Sequence, residues 1–277
     1  MPGKRQAVQS KNIRRKASYG MKETAEFLFE LRKQNESVVD LPEALKPKTD
    51  KEAYAVQDEL VKHLRRHYSS SIVGYKIGCT SQGAQNLLNT EGPLFGQMLS
   101  SHLFESPFVL DTQTYSMIVI EPEFGFQIAR DVPRAQYDAD SIQPFIRSVM
   151  PSIEVVHHRL ENWDKFNAPL TIADNAIHGC WIHGEPALDW QRIDYETHAV
   201  KLFANNELVS QGNASIALGS PLNVLAWLAN TLPAYGHQLK KDDYVTTGVC
   251  MSVYEARARE HVMADFGTLG KIDLRLS

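Results

Sequence analysis

Apolar positions recur at helical spacing at the start of the chain and at strand spacing afterwards. In residues 21–34 (MKETAEFLFELRKQ), Ala25, Leu28, Phe29 and Leu31 fall near one helical face. Residues 50–68 repeat the pattern with Ala53, Val56, Leu60 and Leu64, and Asp50 stands as a plausible N-cap. Pro42, Pro47 and Lys48 between them read as a loop. From about residue 70 short β-type runs take over: Ile72–Ile77, Met117–Ala129, Ser152–His157, His198–Ala204, Tyr244–Thr247 and Ile272–Leu276. Asn205-Asn206 between alternating runs predicts a tight hairpin. Two helices are expected to interrupt the strands. One covers about 138–149, and the other opens at Ser220 with Pro221 in its first turn. The division expected is a tail over 1–20, a helical subdomain over 21–70 and a mixed-β domain over 71–277. The class is α+β, with a rolled or closed sheet as its core.

Composition bounds this picture without redirecting it. The 277 residues are 43% hydrophobic and 22% charged, enough for a substantial core without disulfides. A net charge of -4 gives no footprint for nucleic acid. Cys79, Cys180 and Cys250 form no C-x-x-C pair, which speaks against a zinc ribbon or redox dithiol and fits a reducing compartment. No apolar run is long enough for a membrane span. Residues 1–20 carry Lys4, Arg5, Lys11, Arg14, Arg15 and Lys16 and no acid. They read as a disordered tail, with a mitochondrial transit peptide as the alternative to a cytoplasmic location.

The chemistry concentrates in acidic residues on predicted strands. In MIVIEPEFGFQIA, Glu121 and Glu123 are two apart and share one strand face. Glu154 sits among apolar neighbours in PSIEVVHH, with room before it for a crossing helix. Three converging carboxylates make a hard oxygen site for Mg²⁺ or Mn²⁺. The competing reading is glutamates on half-exposed strands, and Pro122 argues against a central strand. Lys76 lies between Gly74 and Gly78 in an apolar run, either snorkelling outward or buried beside an anion. Thr80 and Ser81 supply hydroxyls, and Ser81 equally reads as a helix cap. Asp174, in a turn-prone Asp-Asn pair, reads as an acid/base or water-positioning group or as turn chemistry. Thr247 and Gly248 end a strand where a carboxylate can be held. The ten histidines form no ligand pattern, and no nucleophile elbow or phosphate loop is present.

In order along the chain, YKIGCTS, GPLFGQML, IEPEFGFQIARD, PSIEVVHHRL, ADNA, LGSPLNVLAWLAN and TTG together resemble the 2-keto-4-pentenoate hydratase branch of the fumarylacetoacetate hydrolase superfamily, over about residues 40 to 277. That branch also holds 4-oxalocrotonate decarboxylases. The resemblance implies a mixed β-roll or barrel, a homo-oligomer, and a Mg²⁺ or Mn²⁺ ion on Glu121, Glu123 and Glu154. It places Lys76 in the substrate pocket, with Asp174 and Thr247 near the substrate. Ser220 replaces a histidine common in relatives, and VCMSVYEARARE departs from the usual pattern, leaving Arg257 and Arg259 to shape the pocket rim. The activity implied is hydration of a 2-hydroxy-2,4-dienoate. The rivals are decarboxylation of a vinylogous 2-oxo diacid, with Arg257 or Arg259 as a second cation, C–C hydrolysis of an acylpyruvate, and non-catalytic binding of a 2-oxo acid.

Overall fold

The structure is a computed structural model, and it describes residues 20–162 and 165–277. The tail or transit-peptide reading of 1–20 therefore lies, but for Gly20, outside the described residues. Helix α1 (Met21–Gln34) buries Thr24, Ala25, Leu28 and Leu31 and ends at Asn35, whose left-handed φ of 51° lets its N–H close the last turn. Helix α2 (Asp50–His67) buries the stripe from Ala53 through Val56 and Leu60 to Leu64. Its cap is Thr49, one residue before the expected Asp50: the Thr49 side chain accepts from the Glu52 N–H. Acids in the first turn and Arg65, Arg66 and His67 in the last suit the helix dipole. Buried Gln57 ties α2 to the rest by donating to the carbonyls of Phe95 and Ile172, each at 2.9 Å.

Beneath these helices lies a mixed sheet. Its strands are β1 (Ile72–Gly78), β2 (Leu94–Leu99), β3 (Leu103–Glu105), β5 (Val119–Ile128), β6 (Ile146–Val156), β7 (His178–His183), β10 (Tyr244–Thr246) and β11 (Tyr254–Glu255). They run in the order β2-β1-β10-β5-β6-β7-β3, with β11 beside β5 beyond the end of β10. A second sheet has the order β4 (Phe108–Leu110), β13 (Lys271–Leu276), β12 (His261–Asp265), β8 (Ala199–Ala204) and β9 (Glu207–Asn213). The rolled α+β architecture expected from sequence is present as two sheets; among the described residues neither closes into a barrel. Helices α3 (Gln82–Leu87), α4 (Ala168–Ala173) and α5 (Pro221–Thr231) fill the connections. Ser220 caps α5, its side chain accepting from the Leu222 N–H. Asn205 and Asn206, at φ 50° and 68°, make the β8–β9 hairpin turn.

The helix expected over 138–149 is absent. Asp138 and Ser141 form a turn, a 3-10 turn covers Gln143–Phe145, and β6 starts at Ile146. Pro144 would remove a donor from any helix here. The apolar residues that follow instead pair with β5 over its whole length. No helix crosses between the two acidic strands; β5 and β6 are antiparallel neighbours. Pro122 sits centrally in β5, at the gap where its neighbour changes from β10 to β11. Its carbonyl, and so its missing N–H, faces that gap, where the Cys250 N–H donates to it at 3.2 Å. The proline therefore costs the ladder nothing on its β6 side.

Among the described residues no helix is long and apolar enough to cross a membrane.

Candidate metal centre and its cavity

Antiparallel pairing sets Glu121 directly opposite Glu154, and alternation puts Glu123 on the same face. One carboxylate oxygen from each lies within 4.8 Å of the others. Glu123 and Glu154 are completely buried, while Glu121 keeps some exposure to a cavity. Each buried carboxylate has one oxygen fixed and one free. Glu123 Oε2 accepts from the Thr246 hydroxyl and, at 2.8 Å, from the Gly248 N–H, and its Oε1 has no partner. Glu154 Oε1 accepts from His178 Nδ1 at 2.7 Å and lies 3.1 Å from Lys76 Nζ, and its Oε2 has no partner.

Three acids with one ammonium among them leave a surplus of buried negative charge. Burial, with Lys76 opposing and Glu154 reinforcing it, pushes the Glu121 carboxyl up to about 7. Burial and both neighbouring glutamates hold the Glu123 carboxyl well above the carboxylate range. Burial would also raise Glu154, but Lys76 and His178 outweigh it and its carboxyl falls below the ordinary value. Burial alone would likewise lower Lys76; the charges of Glu154, Glu121 and Glu123 override it and keep the ammonium above its usual range. Lys76 is thus a fixed cation, not the neutral amine that burial alone favours. Two unpartnered, converging carboxylate oxygens in a site short of positive charge fit a hard divalent ion.

Lys76 and Glu121 line one end of a cavity of about 430 Å³. Thr80 and Ser81 line it too. The Thr80 hydroxyl is buried and unpartnered, whereas Ser81 Oγ accepts from the Ala84 N–H at 3.2 Å and caps α3. Leu87, Leu88, Ile216, Met251 and Val253 make the far walls apolar. Gly248, at φ 83°, packs under Thr80: a Cβ there would lie 2.0 Å from Thr80 Oγ1. Gly74 serves the fold rather than a ligand, since a Cβ on it would strike the Tyr244 carbonyl.

Three expected roles are not reflected in the geometry. Asp174 gives both carboxylate oxygens to arginines, Oδ1 to Arg32 Nε and Oδ2 to Arg159 Nε, each at 2.9 Å, and does not line this cavity. The Thr247 hydroxyl donates to the Phe124 carbonyl, and it is Thr246 that reaches a glutamate. Arg257 and Arg259 are exposed and do not line the cavity, where Lys76 is the only cation among the described lining residues.

His178 and Thr246 were missed. His178 follows Asn175, Ala176 and Ile177, all left-handed at φ 52°, 51° and 54°. Such a run costs roughly 1–2 kcal/mol per residue. It is held by Asn175, whose side chain accepts from the Gln97 N–H and donates to the Gln97 carbonyl. The motif ADNAIH carries the signal, but only the fold shows that its histidine meets Glu154.

A sheet-built trio of acids beside a buried lysine is a group that could hold a divalent metal ion. No protein-family model matches the chain. It is 30% identical to 2-keto-4-pentenoate hydratase 2 of Dechloromonas aromatica (strain RCB) over 221 residues, 79% of this chain and 83% of that protein. It is 29% identical to a 2-hydroxypent-2,4-dienoate hydratase of Pseudomonas putida over 218 residues, 77% of this chain and 96% of that one. In fold it matches 4-oxalocrotonate decarboxylase from Pseudomonas putida G7, solved with magnesium and adipate: the TM-score is 0.86 at 24% identity, covering 93% and 97% of the two chains. The chain belongs to the 2-keto-4-pentenoate hydratase family, and is an enzyme of the lyase class.

Proposed function

We propose that this enzyme adds water to a 2-hydroxy-2,4-dienoate, giving a 4-hydroxy-2-oxo acid, and that Glu121, Glu123 and Glu154 hold the divalent ion it needs. The observation that carries this reading is the free oxygens of Glu123 and Glu154 beside a single ammonium, with Lys76 and Glu121 opening on a cavity whose lining is otherwise mostly apolar. A bound Mg²⁺ or Mn²⁺ would supply positive charge for the substrate's carboxylate and 2-oxygen.

The protein's own groups account for the rest. Lys76 remains an ammonium and stabilises negative charge building on the 2-oxygen as the enol proton leaves. A proton is gained at the distal carbon, so the diene becomes a 2-oxo-3-enoate. Water then adds, hydroxyl to C4 and proton to C3. Thr80, whose hydroxyl has no partner among the described residues, orients that water; Asp174 instead acts at a distance, holding Arg32 and Arg159. Leu87, Leu88 and Met251 seat the hydrocarbon tail and keep bulk water off it.

A vinylogous oxo-diacid presents a second carboxylate to the far end of the cavity, where the described lining offers no cation. That favours hydration over decarboxylation. Action on products of aromatic-ring cleavage and assembly as a homo-oligomer belong to the same reading. The exposed Val109 and Leu188 are available for subunit contact.

The test is a panel of 2-hydroxydienoates, vinylogous oxo-diacids and acylpyruvates, assayed with Mg²⁺ and with Mn²⁺. Hydration of the dienoates is expected to dominate. Faster CO₂ release from the diacid would establish the decarboxylase, and binding of oxo-acids without turnover of any substrate would establish a binding protein.

A further inference from the structure

A second cavity, of about 350 Å³, counts His178 among its lining residues and has no part in the proposed hydration. Its lining includes Arg32, Arg159 and His178, and Leu99, Phe104, Phe108 and Tyr115 give it apolar walls. Exposed Asp111 and Thr114 also line it.

Two arginines share one acid. Each Arg32 nitrogen has a partner: Nε and Nη2 bond to Asp174, and Nη1 donates to the His178 carbonyl at 3.0 Å. Arg159 spends only Nε on Asp174; its Nη2 is buried without a partner, on a side chain 1% exposed. An unpaired buried donor is destabilising, and more so on a charged group. His102 and His157 do not add to the charge count, because burial pushes His102 down to about 4 and holds His157 below its usual range. Leaving aside the solvent-exposed Asp111, Arg32 and Arg159 therefore carry one positive charge beyond what Asp174 offsets. A bridging water would satisfy Nη2 and leave that charge standing. An anion satisfies both, and the aromatic walls select one with an apolar body.

We propose that this cavity is a separate site for a small monocarboxylate with an apolar tail, its carboxylate bonded by Arg159 Nη2. The site requires no metal ion, so it is distinguishable from the glutamate centre and stands or falls apart from the hydratase reading.

The probe is hexanoate, titrated calorimetrically into the full-length protein after EDTA treatment. One hexanoate per chain is expected, with acetate and inorganic phosphate binding at least tenfold more weakly. Arg159→Lys keeps the charge beside Asp174 but loses the free N–H, and should weaken hexanoate at least tenfold. Glu123→Gln should leave it unchanged. In Mg²⁺-loaded wild type, where oxalate claims the metal centre, oxalate and hexanoate should bind together; this arm needs no variant to fold. The site is refuted if hexanoate does not bind, if Arg159→Lys binds it as wild type does, or if oxalate displaces it. Acetate binding as tightly as hexanoate would remove the apolar-tail requirement and overturn the proposal as stated.

Discussion

Replacing Glu123 with glutamine should stabilise the cation-free protein while abolishing its response to a divalent ion. Glutamine keeps an oxygen for Thr246 and Gly248 and preserves volume, so the change is nearly pure charge. At the 4.8 Å limit of the cluster, with an effective dielectric of about 20, each like-charged pair costs about 3 kcal/mol. Glu123 repels two glutamates and attracts one lysine, so its net electrostatic cost is of the order of one such pair. Its raised carboxyl already relieves part of this by taking up a proton. A net gain of about 1–3 kcal/mol is therefore expected, or roughly 3–10 °C in Tm for a chain of this length. The assay is thermal unfolding with EDTA and with saturating Mg²⁺, at a pH of about 8, above the Glu121 value of about 7. Wild type should rise with Mg²⁺, and Glu123→Gln should start higher and not move. A variant less stable than wild type in EDTA that still gains the full Mg²⁺ shift would refute the reasoning.

Lys76→Met should act in the opposite direction. It strands the acids without their cation, so the metal-free protein should lose about 3–5 kcal/mol, read by denaturant unfolding, and turnover should fall at least a hundredfold. Gly248→Ala forces a Cβ against Thr80 at a left-handed position; lower activity and a lower Tm are expected together, and wild-type values for both would contradict that packing. The Glu121 carboxyl is raised from 4.5 to about 7, so the folded state holds a proton the unfolded chain releases across that window. Stability of the cation-free protein is therefore greatest below the window and should fall by about 3 kcal/mol as pH rises through it, at about 1.4 kcal/mol per pH unit. Mg²⁺ affinity, measured by calorimetry, should increase over the same range as protons leave. His178→Gln removes the imidazole that orients Glu154 and should weaken Mg²⁺ binding about 10–100-fold without abolishing it.

The acidic trio was legible in the sequence because alternation along a strand is local: Glu121 and Glu123 must share a face once the strand exists. That Glu154 meets them depends on register, and the route expected between the strands was wrong, since the apolar run after Pro144 continues as strand. Lys76 could be placed but not its charge state, which depends on three acids brought in by two other strands. Asp174 shows the converse limit. A turn-prone acid in a shared motif reads as catalytic, and only folding reveals Arg32, 142 residues earlier, as its partner. Thr246 and Thr247 are adjacent hydroxyls at a strand end, and which one faces the glutamate is a matter of strand phase that the local pattern leaves open. His178 is invisible for a related reason, since its position follows from three consecutive left-handed residues that no apolar periodicity encodes.

The proposed chemistry needs one divalent ion among Glu121, Glu123 and Glu154. Titrating Mn²⁺ into the protein and following the free-ion signal by electron paramagnetic resonance measures that directly. One tightly held Mn²⁺ per wild-type chain is expected, with binding lost in Glu121→Gln, Glu123→Gln and Glu154→Gln. Undiminished stoichiometry and affinity in all three folded variants would contradict the account.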